Sequence, residues 1–133
     1  MKPIRDLNVL LQTMEPTLNP GTFAFVCLPE SKSLTADLIL ASIRETEGLS
    51  VVVEESVARR EGLHPEMLCA WITLTVNSDL HAVGLTAAFS AALGNAGISC
   101  NVIAGTRHDH IFVPVNKADA AMQALRRLQA DSR

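Results

Sequence analysis

Trp71-Ile72-Thr73-Leu74-Thr75-Val76, then the polar turn Asn77-Ser78-Asp79, then a stripe of Leu85, Ala88, Phe89, Ala92, Leu93 and Ala96 closed by Gly97, decides the fold class. The opening six residues alternate in size and polarity with a period of two, as a half-buried strand does. The stripe recurs at three- and four-residue spacing, so it marks one apolar face of a helix, and its alanines allow close approach to a sheet. Gly97 is a residue able to end that helix in the left-handed conformation. Residues 98–103 read as a second strand, and a strand-helix-strand crossover leaves its two strands parallel.

Working outward toward the C-terminus, residues 105–107 turn the chain and 109–115 return antiparallel, a hairpin. Ala118, Ala121, Met122, Leu125 and Leu128 then mark a final amphipathic helix, with Asn116 as a candidate N-cap and Arg126 and Arg127 near its end.

Toward the N-terminus, residues 22–28 (Thr-Phe-Ala-Phe-Val-Cys-Leu) are apolar on both faces and stopped by Pro29, the pattern of a buried strand. Ahead of it, Asp6 can cap a short helix bearing Leu7, Leu10, Leu11 and Met14, which Pro16 and Pro20-Gly21 forbid from continuing. Behind it, Ser33 opens an expected helix with the stripe Ala36, Ile39, Leu40 and Ile43, ended at Gly48. A strand over 49–54, a polar helical turn over 55–61 ended by Gly62, and a connector holding His64-Pro65 complete this half.

Laying Gly48 on Gly97 brings Leu49-Ser50 onto Ile98-Ser99, Phe23 and Phe25 onto Ile72 and Leu74, and Ile39-Leu40 onto Ala88-Phe89. The chain therefore reads as a repeated strand-helix-glycine-strand unit. Its expected halves are 1–66, with the leading helix, and 67–133. The second half, β-α-β-β-α, approaches a ferredoxin-like arrangement, so the expected class is α+β, with helices on one face of a mixed sheet.

Composition narrows function. Apolar residues at 48% and charged residues at 19% place the chain among globular proteins. A net charge of -3 without a basic run, and few aromatics, leave no footprint for nucleic acid. No apolar stretch reaches the roughly 18 to 20 residues that span a bilayer, and the first residues do not form a signal peptide, so a cytoplasmic protein is expected. Cys27, Cys69 and Cys100 are widely spaced in apolar runs, the pattern of buried reduced thiols.

The second half resembles an ACT domain. The residues that carry the resemblance are Asn77-Ser78-Asp79-Leu80-His81-Ala82-Val83-Gly84-Leu85-Thr86, the alanine-rich helix, Ala96-Gly97-Ile98-Ser99-Cys100-Asn101-Val102-Ile103, His110-Ile111-Phe112-Val113-Pro114-Val115, and the helix from Asp119 to Leu125. It is most similar to the regulatory ACT repeats of aspartate kinases. Residues 7–54 are similar to the partner half of small stand-alone bacterial proteins with two ACT-like units. The resemblance implies tandem βαββαβ units that bind amino acids or similar small effectors where paired ACT units meet, commonly as dimers. Many ACT turns carry a proline before the glycine, where this chain has Val83.

Read from the residues, Gly84 follows a polar turn and opens a helix, so the amides near Val83, Gly84, Leu85 and Thr86 are placed to receive a carboxylate. Asn77 and Asp79 at the strand end are then candidates for an α-amino group, with Asn101, Val102 and Ile103 on the neighbouring strand as a wall. In the plainer reading, Asp79 caps the helix and Gly84 only lets it pack. The first-half turn, residues 29–33, has no glycine to make such a site.

A non-catalytic regulatory protein is the reading adopted, with a small-molecule effector as partner, no cofactor, no metal and no catalytic residue, and with exposed sheet edges paired in a homodimer. Two alternatives stay open. One is an assembly module without ligand. The other is a metal-dependent enzyme using His108 and His110, which as alternate residues of a strand share a face. A nucleophilic pairing of Cys100 with a histidine lacks a context that would activate the thiol.

Overall fold

The structure is a computed structural model that describes residues 2–132. Helix α1 (Leu7–Thr13) begins where the Asp6 carboxylate accepts the Val9 amide. Strand β1 (Pro16–Leu28) follows, then a 3-10 turn at Ala36–Leu38, strands β2 (Ala41–Glu45) and β3 (Gly48–Glu54), helix α2 (Glu55–Arg60) and strand β4 (Met67–Leu74). Helix α3 (Leu85–Asn95), the hairpin of β5 (Asn101–Ala104) and β6 (Asp109–Pro114), and helix α4 (Ala118–Asp131) complete the chain. It divides into two compact units, called inner and outer by their place along the sequence: the inner, Gly21–Cys69, and the outer, built from the residues up to Pro20 and those from Ala70 onward. β1 and β4 are each divided between them.

In the inner unit the strand order is β2-β3-β1-β4, with β1 antiparallel to β3 from Phe23↔Glu54 to Leu28↔Leu49. Ala24, Val26 and Leu28 of β1 and Val51 and Val53 of β3 share a face, and Val57, Ala58 and Leu63 cover it. The helix expected from Ser33 to Gly48 does not form. One 3-10 turn stands in its place, and β2 pairs antiparallel with β3 from Ala41↔Val52 to Glu45↔Gly48 across the two-residue turn Thr46-Glu47. The helical stripe was coincidental. Leu34, Leu38 and Ile39 pack on the core, whereas Leu40 and Ile43 are exposed. Gly48 enters β3 at φ +141°, and the ladder with β3 outweighs the local helical spacing. The lateral match of Gly48 to Gly97 therefore equates a hairpin with a helix end.

In the outer unit the order is β1-β4-β6-β5. The start of β1 lies beside β4 and runs against it: the Thr75 backbone amide donates to the Glu15 carbonyl (3.2 Å) and the Asn19 side-chain amide to the Trp71 carbonyl (3.2 Å). Counting β4 as first strand, this order is fourth-first-third-second, the ferredoxin-like order, and the inner unit repeats it when counted from β1. β6 separates β4 from β5, so those two form no parallel ladder. Every pair whose register is defined is antiparallel, which replaces the mixed sheet expected from the crossover.

One face of the outer sheet is covered by helices, as expected. Ala70, Ile72 and Leu74 of β4 and Ile111 and Val113 of β6 meet Leu85, Phe89 and Leu93 of α3, Ala121, Met122 and Leu125 of α4, and Leu10 and Leu11 of α1 with Met14 just after it. α4 extends to Asp131 and is preceded by a 3-10 turn, so Asn116 does not cap it and the two arginines lie short of its last turn.

Candidate functional site

The turn between β4 and α3 is held from both sides. Ser78, buried, donates its amide to the Arg107 carbonyl (2.9 Å), which ties the turn to the β5-β6 hairpin. On the other side the N-terminal segment forms a parallel bridge, Ile4↔Ser78, in which the Ile4 amide donates to the Asn77 carbonyl (2.8 Å) and the Asp79 amide to the Ile4 carbonyl (2.9 Å).

Asp79 does not cap α3. Its Oδ1 accepts the His81 amide (2.7 Å) and its Oδ2 accepts Arg5 Nε (3.0 Å). The His81 amide first, with Arg5 adding to it, holds this carboxyl below its ordinary range despite some desolvation. Gly84 begins α3 at φ +105° without a side-chain cap. A β-carbon there would stand 2.9 Å from Leu7 Cδ2, so the close approach the glycine permits is used by α1. Leu85 is buried beneath, Thr86 faces outward, and Val83 is 83% exposed.

Between this turn and the hairpin lies a cavity of about 100 Å³ lined by Ser78, Asp79, Leu80, Ala82, Leu85, Thr86, Ala104 and Asp109. Of the residues singled out from sequence it brings together Asp79, Leu85 and Thr86. Asn77, Val83, Gly84, Asn101, Val102 and Ile103 lie outside its lining. Asp109, which was not among the candidates, also lines the cavity, and the signal for it was in the hairpin register, where Asp109 pairs with Ala104, another lining residue. Burial raises the Asp109 carboxyl above its ordinary range, with the neighbouring His110 pulling it partly back. At its ordinary pH such a group gains from a cation placed beside it. The cavity thus offers an acidic wall at Asp109 and the opening turn of α3 at Leu85 and Thr86, where backbone N–H groups lack intrahelical acceptors.

His108 and His110 serve other ends. His108 Nδ1 donates to the Val76 carbonyl (2.9 Å). His110 Nδ1 accepts from Trp71 Nε1 (3.0 Å) and from the Thr73 hydroxyl (3.1 Å), which itself accepts from the Asn19 side-chain amide (2.9 Å). Among the described residues no group of three His, Cys, Asp or Glu is placed to hold a metal ion. Burial pushes the Cys69 thiol up to about 11 and the Cys100 thiol above its ordinary value, the opposite of what a nucleophile requires. Cys27, expected to be buried, is exposed: it sits on the β1 face opposite Ala24, Val26 and Leu28.

Two ferredoxin-like units in tandem, one with several helices and the other with α2 against an antiparallel sheet, define the class of α+β proteins to which the chain belongs. Models of the ACT domain match residues 2–70 and, separately, residues 67–127. The chain belongs to the ACT domain family, as a tandem pair. ACT domains are regulatory modules that generally bind small-molecule effectors.

Among solved structures it is similar to a protein of unknown function from Vibrio cholerae described as a possible transport protein: 45% identity, TM-score 0.79, over 92% of this chain and 95% of that one. The regulatory subunit of aspartate kinase from Thermus flavus shares the fold at 12% identity and TM-score 0.56, over 85% of this chain and 95% of that one. So does Escherichia coli aspartokinase III, solved with aspartate and ADP, at 11% identity and TM-score 0.63, over 88% of this chain and 33% of that one. No curated protein matches the sequence. No helix among the described residues is long and apolar enough to cross a membrane.

Proposed function

We propose that this protein is a non-catalytic regulator that binds a small α-amino acid in the cavity between the 77–84 turn and the β5-β6 hairpin. The observation that carries the reading is the pairing of chemistries across that cavity: a carboxylate raised by burial at Asp109 faces the open first turn of α3. A zwitterion satisfies both, its ammonium at Asp109 and its carboxylate at the amides of Leu85 and Thr86. About 100 Å³ is well below the roughly 300 Å³ at which drug-sized sites begin, so the ligand is small or lodges only its head group. A cytoplasmic homodimer completes the reading, since β2 and β5 stand at the edges of their strand orders and pairing removes an exposed edge.

Thermal denaturation against the standard amino acids tests it. A ligand at about 100 times its Kd raises stability by about 2.7 kcal/mol, and the Asp109→Asn variant loses that shift. A flat panel overturns the reading and favours an assembly module without ligand. Light scattering that gives a monomer at micromolar concentration removes the dimer while leaving the site in place.

A further inference from the structure

We propose that the N-terminal strap, residues 3–7, belongs to the effector site, with Arg5 as the residue that takes the ligand's anionic group and Asp79 as the residue that positions Arg5. The inference rests on the amino-acid-binding reading above and reassigns part of its chemistry.

Three independent contacts lay the strap along the cavity rim. The Ile4↔Ser78 bridge fixes its backbone through hydrogen bonds to both Asn77 and Asp79. Leu7 closes over Gly84, so a change in the strap is felt where α3 begins. Arg5 and Asp79 form the third contact, and its geometry is informative. Asp79 lines the cavity, yet both its carboxylate oxygens are engaged, Oδ1 by the His81 amide and Oδ2 by Arg5 Nε. It is therefore poorly suited to receive the ligand's ammonium and well suited to hold a guanidinium in a fixed plane. A guanidinium held through Nε, with no other hydrogen bond among the described residues, keeps both terminal nitrogens, with four N–H donors, in the fork that matches a carboxylate. The Arg5 side chain is 65% exposed and that of Asp79 18%, so the fork is offered at the mouth by a partner seated in the rim.

Charge division supports the same assignment. Of the two acids in the lining, Asp79 is ion-paired with Arg5, whereas Asp109 forms no ion pair among the described residues and has only the half-buried His110 beside it. An incoming ammonium is drawn to Asp109, and the anionic end of the ligand to the Arg5 fork held by Asp79. A lysine at position 5 keeps the charge but not the fork.

The test is a calorimetric titration of wild type, Arg5→Ala, Arg5→Lys, Asp79→Asn and Asp109→Asn with whichever standard amino acid shifts the wild-type melting temperature. Loss of one charge-assisted contact weakens binding by about tenfold to a hundredfold in Arg5→Ala. Arg5→Lys recovers part of the loss. Asp79→Asn weakens binding less than Arg5→Ala, and adding it to Arg5→Ala brings no further loss, because it acts only through Arg5. If Arg5→Ala binds as wild type does while Asp109→Asn does not bind, the strap is outside the site and this inference falls with the cavity reading intact. Equal losses from Asp79→Asn in the presence and absence of Arg5 overturn the positioning role. If no amino acid shifts the wild type, both readings fall together.

Discussion

Gly84 combines a backbone angle of φ +105° with a neighbour, Leu7, already at the limit of approach. Both act against any side chain there, so Gly84→Ala is expected to cost about 1–3 kcal/mol in urea denaturation, from αL strain and overpacking together. Trimming the neighbour separates the two: in a Leu7→Ala background the same substitution costs less, and the difference is the steric part. His110 supplies a second residue-scale prediction. Its imidazole is held below the ordinary 6.5, chiefly by burial and then by His108, with Asp109 opposing. The native state therefore favours the neutral ring, and the unfolded chain takes up the proton first as pH falls. His110's contribution is present above about 6.5 and is lost as pH falls through its lower native value. Asp109 works in the other direction: its native carboxyl is raised above 3.8, so it takes up a proton before the unfolded chain does and its burial penalty is relieved on acidification. Trp71, the only tryptophan, donates to the very nitrogen that His110 must protonate, so its fluorescence reports the titration directly. A midpoint below 6.5 is expected, moving lower still in Asp109→Asn, where the acid that favours the imidazolium is gone. A midpoint at or above 6.5 contradicts the buried neutral ring.

At the scale of elements, legibility in the sequence tracked how many residues shared one pattern. α3 was readable because Leu85, Phe89 and Leu93 repeat every fourth residue and all three are buried. The β5-β6 hairpin was readable because two alternating segments flank a short turn at Gly105. The 33–48 segment was misread because Ala36, Ile39, Leu40 and Ile43 fit a helix locally, while the partner that decides their fate, β3, is a tertiary fact. The proposed site divides in the same way. Asp79, Leu85 and Thr86 lie on one continuous turn, but Asp109 arrives through the Ala104↔Asp109 pairing and Arg5 through a bridge spanning most of the chain. Substitutions separate the two readings of residues 33–48. Ile43 is 66% exposed on β2, so Ile43→Lys is expected to change stability by less than about 0.5 kcal/mol; in a helix packing its stripe inward it would bury a charge and cost several. Val51→Ala, on the buried partner strand, is expected to cost about 1–3 kcal/mol. Equal, large losses at both positions would contradict the hairpin.

For the whole molecule, the tandem character is legible in the sequence as two consecutive halves. Contacts add that α1 and the start of β1, from the first twenty residues, share a compact unit with the chain from Ala70 onward. The physical stake is large. Leu10 and Met14 are wholly buried and Leu11 nearly so, in one core with α3, α4, β4 and β6. At about 1.5–3 kcal/mol for each such side chain, their removal forfeits roughly 5–9 kcal/mol, comparable with the entire stability of a domain of this size. The chain beginning at residue 67 would also lose the strand beside β4 and leave that edge unpaired. Expressed alone, residues 67–133 are therefore expected to lack a cooperative thermal transition and to give broad, poorly dispersed amide resonances. A peptide of residues 2–28 added in trans is expected to restore dispersion, since it carries both α1 and the missing strand. A stably folded 67–133 fragment would mean that the core contributed by α1 is dispensable, and would weaken with it the role assigned to the strap that leads into that helix.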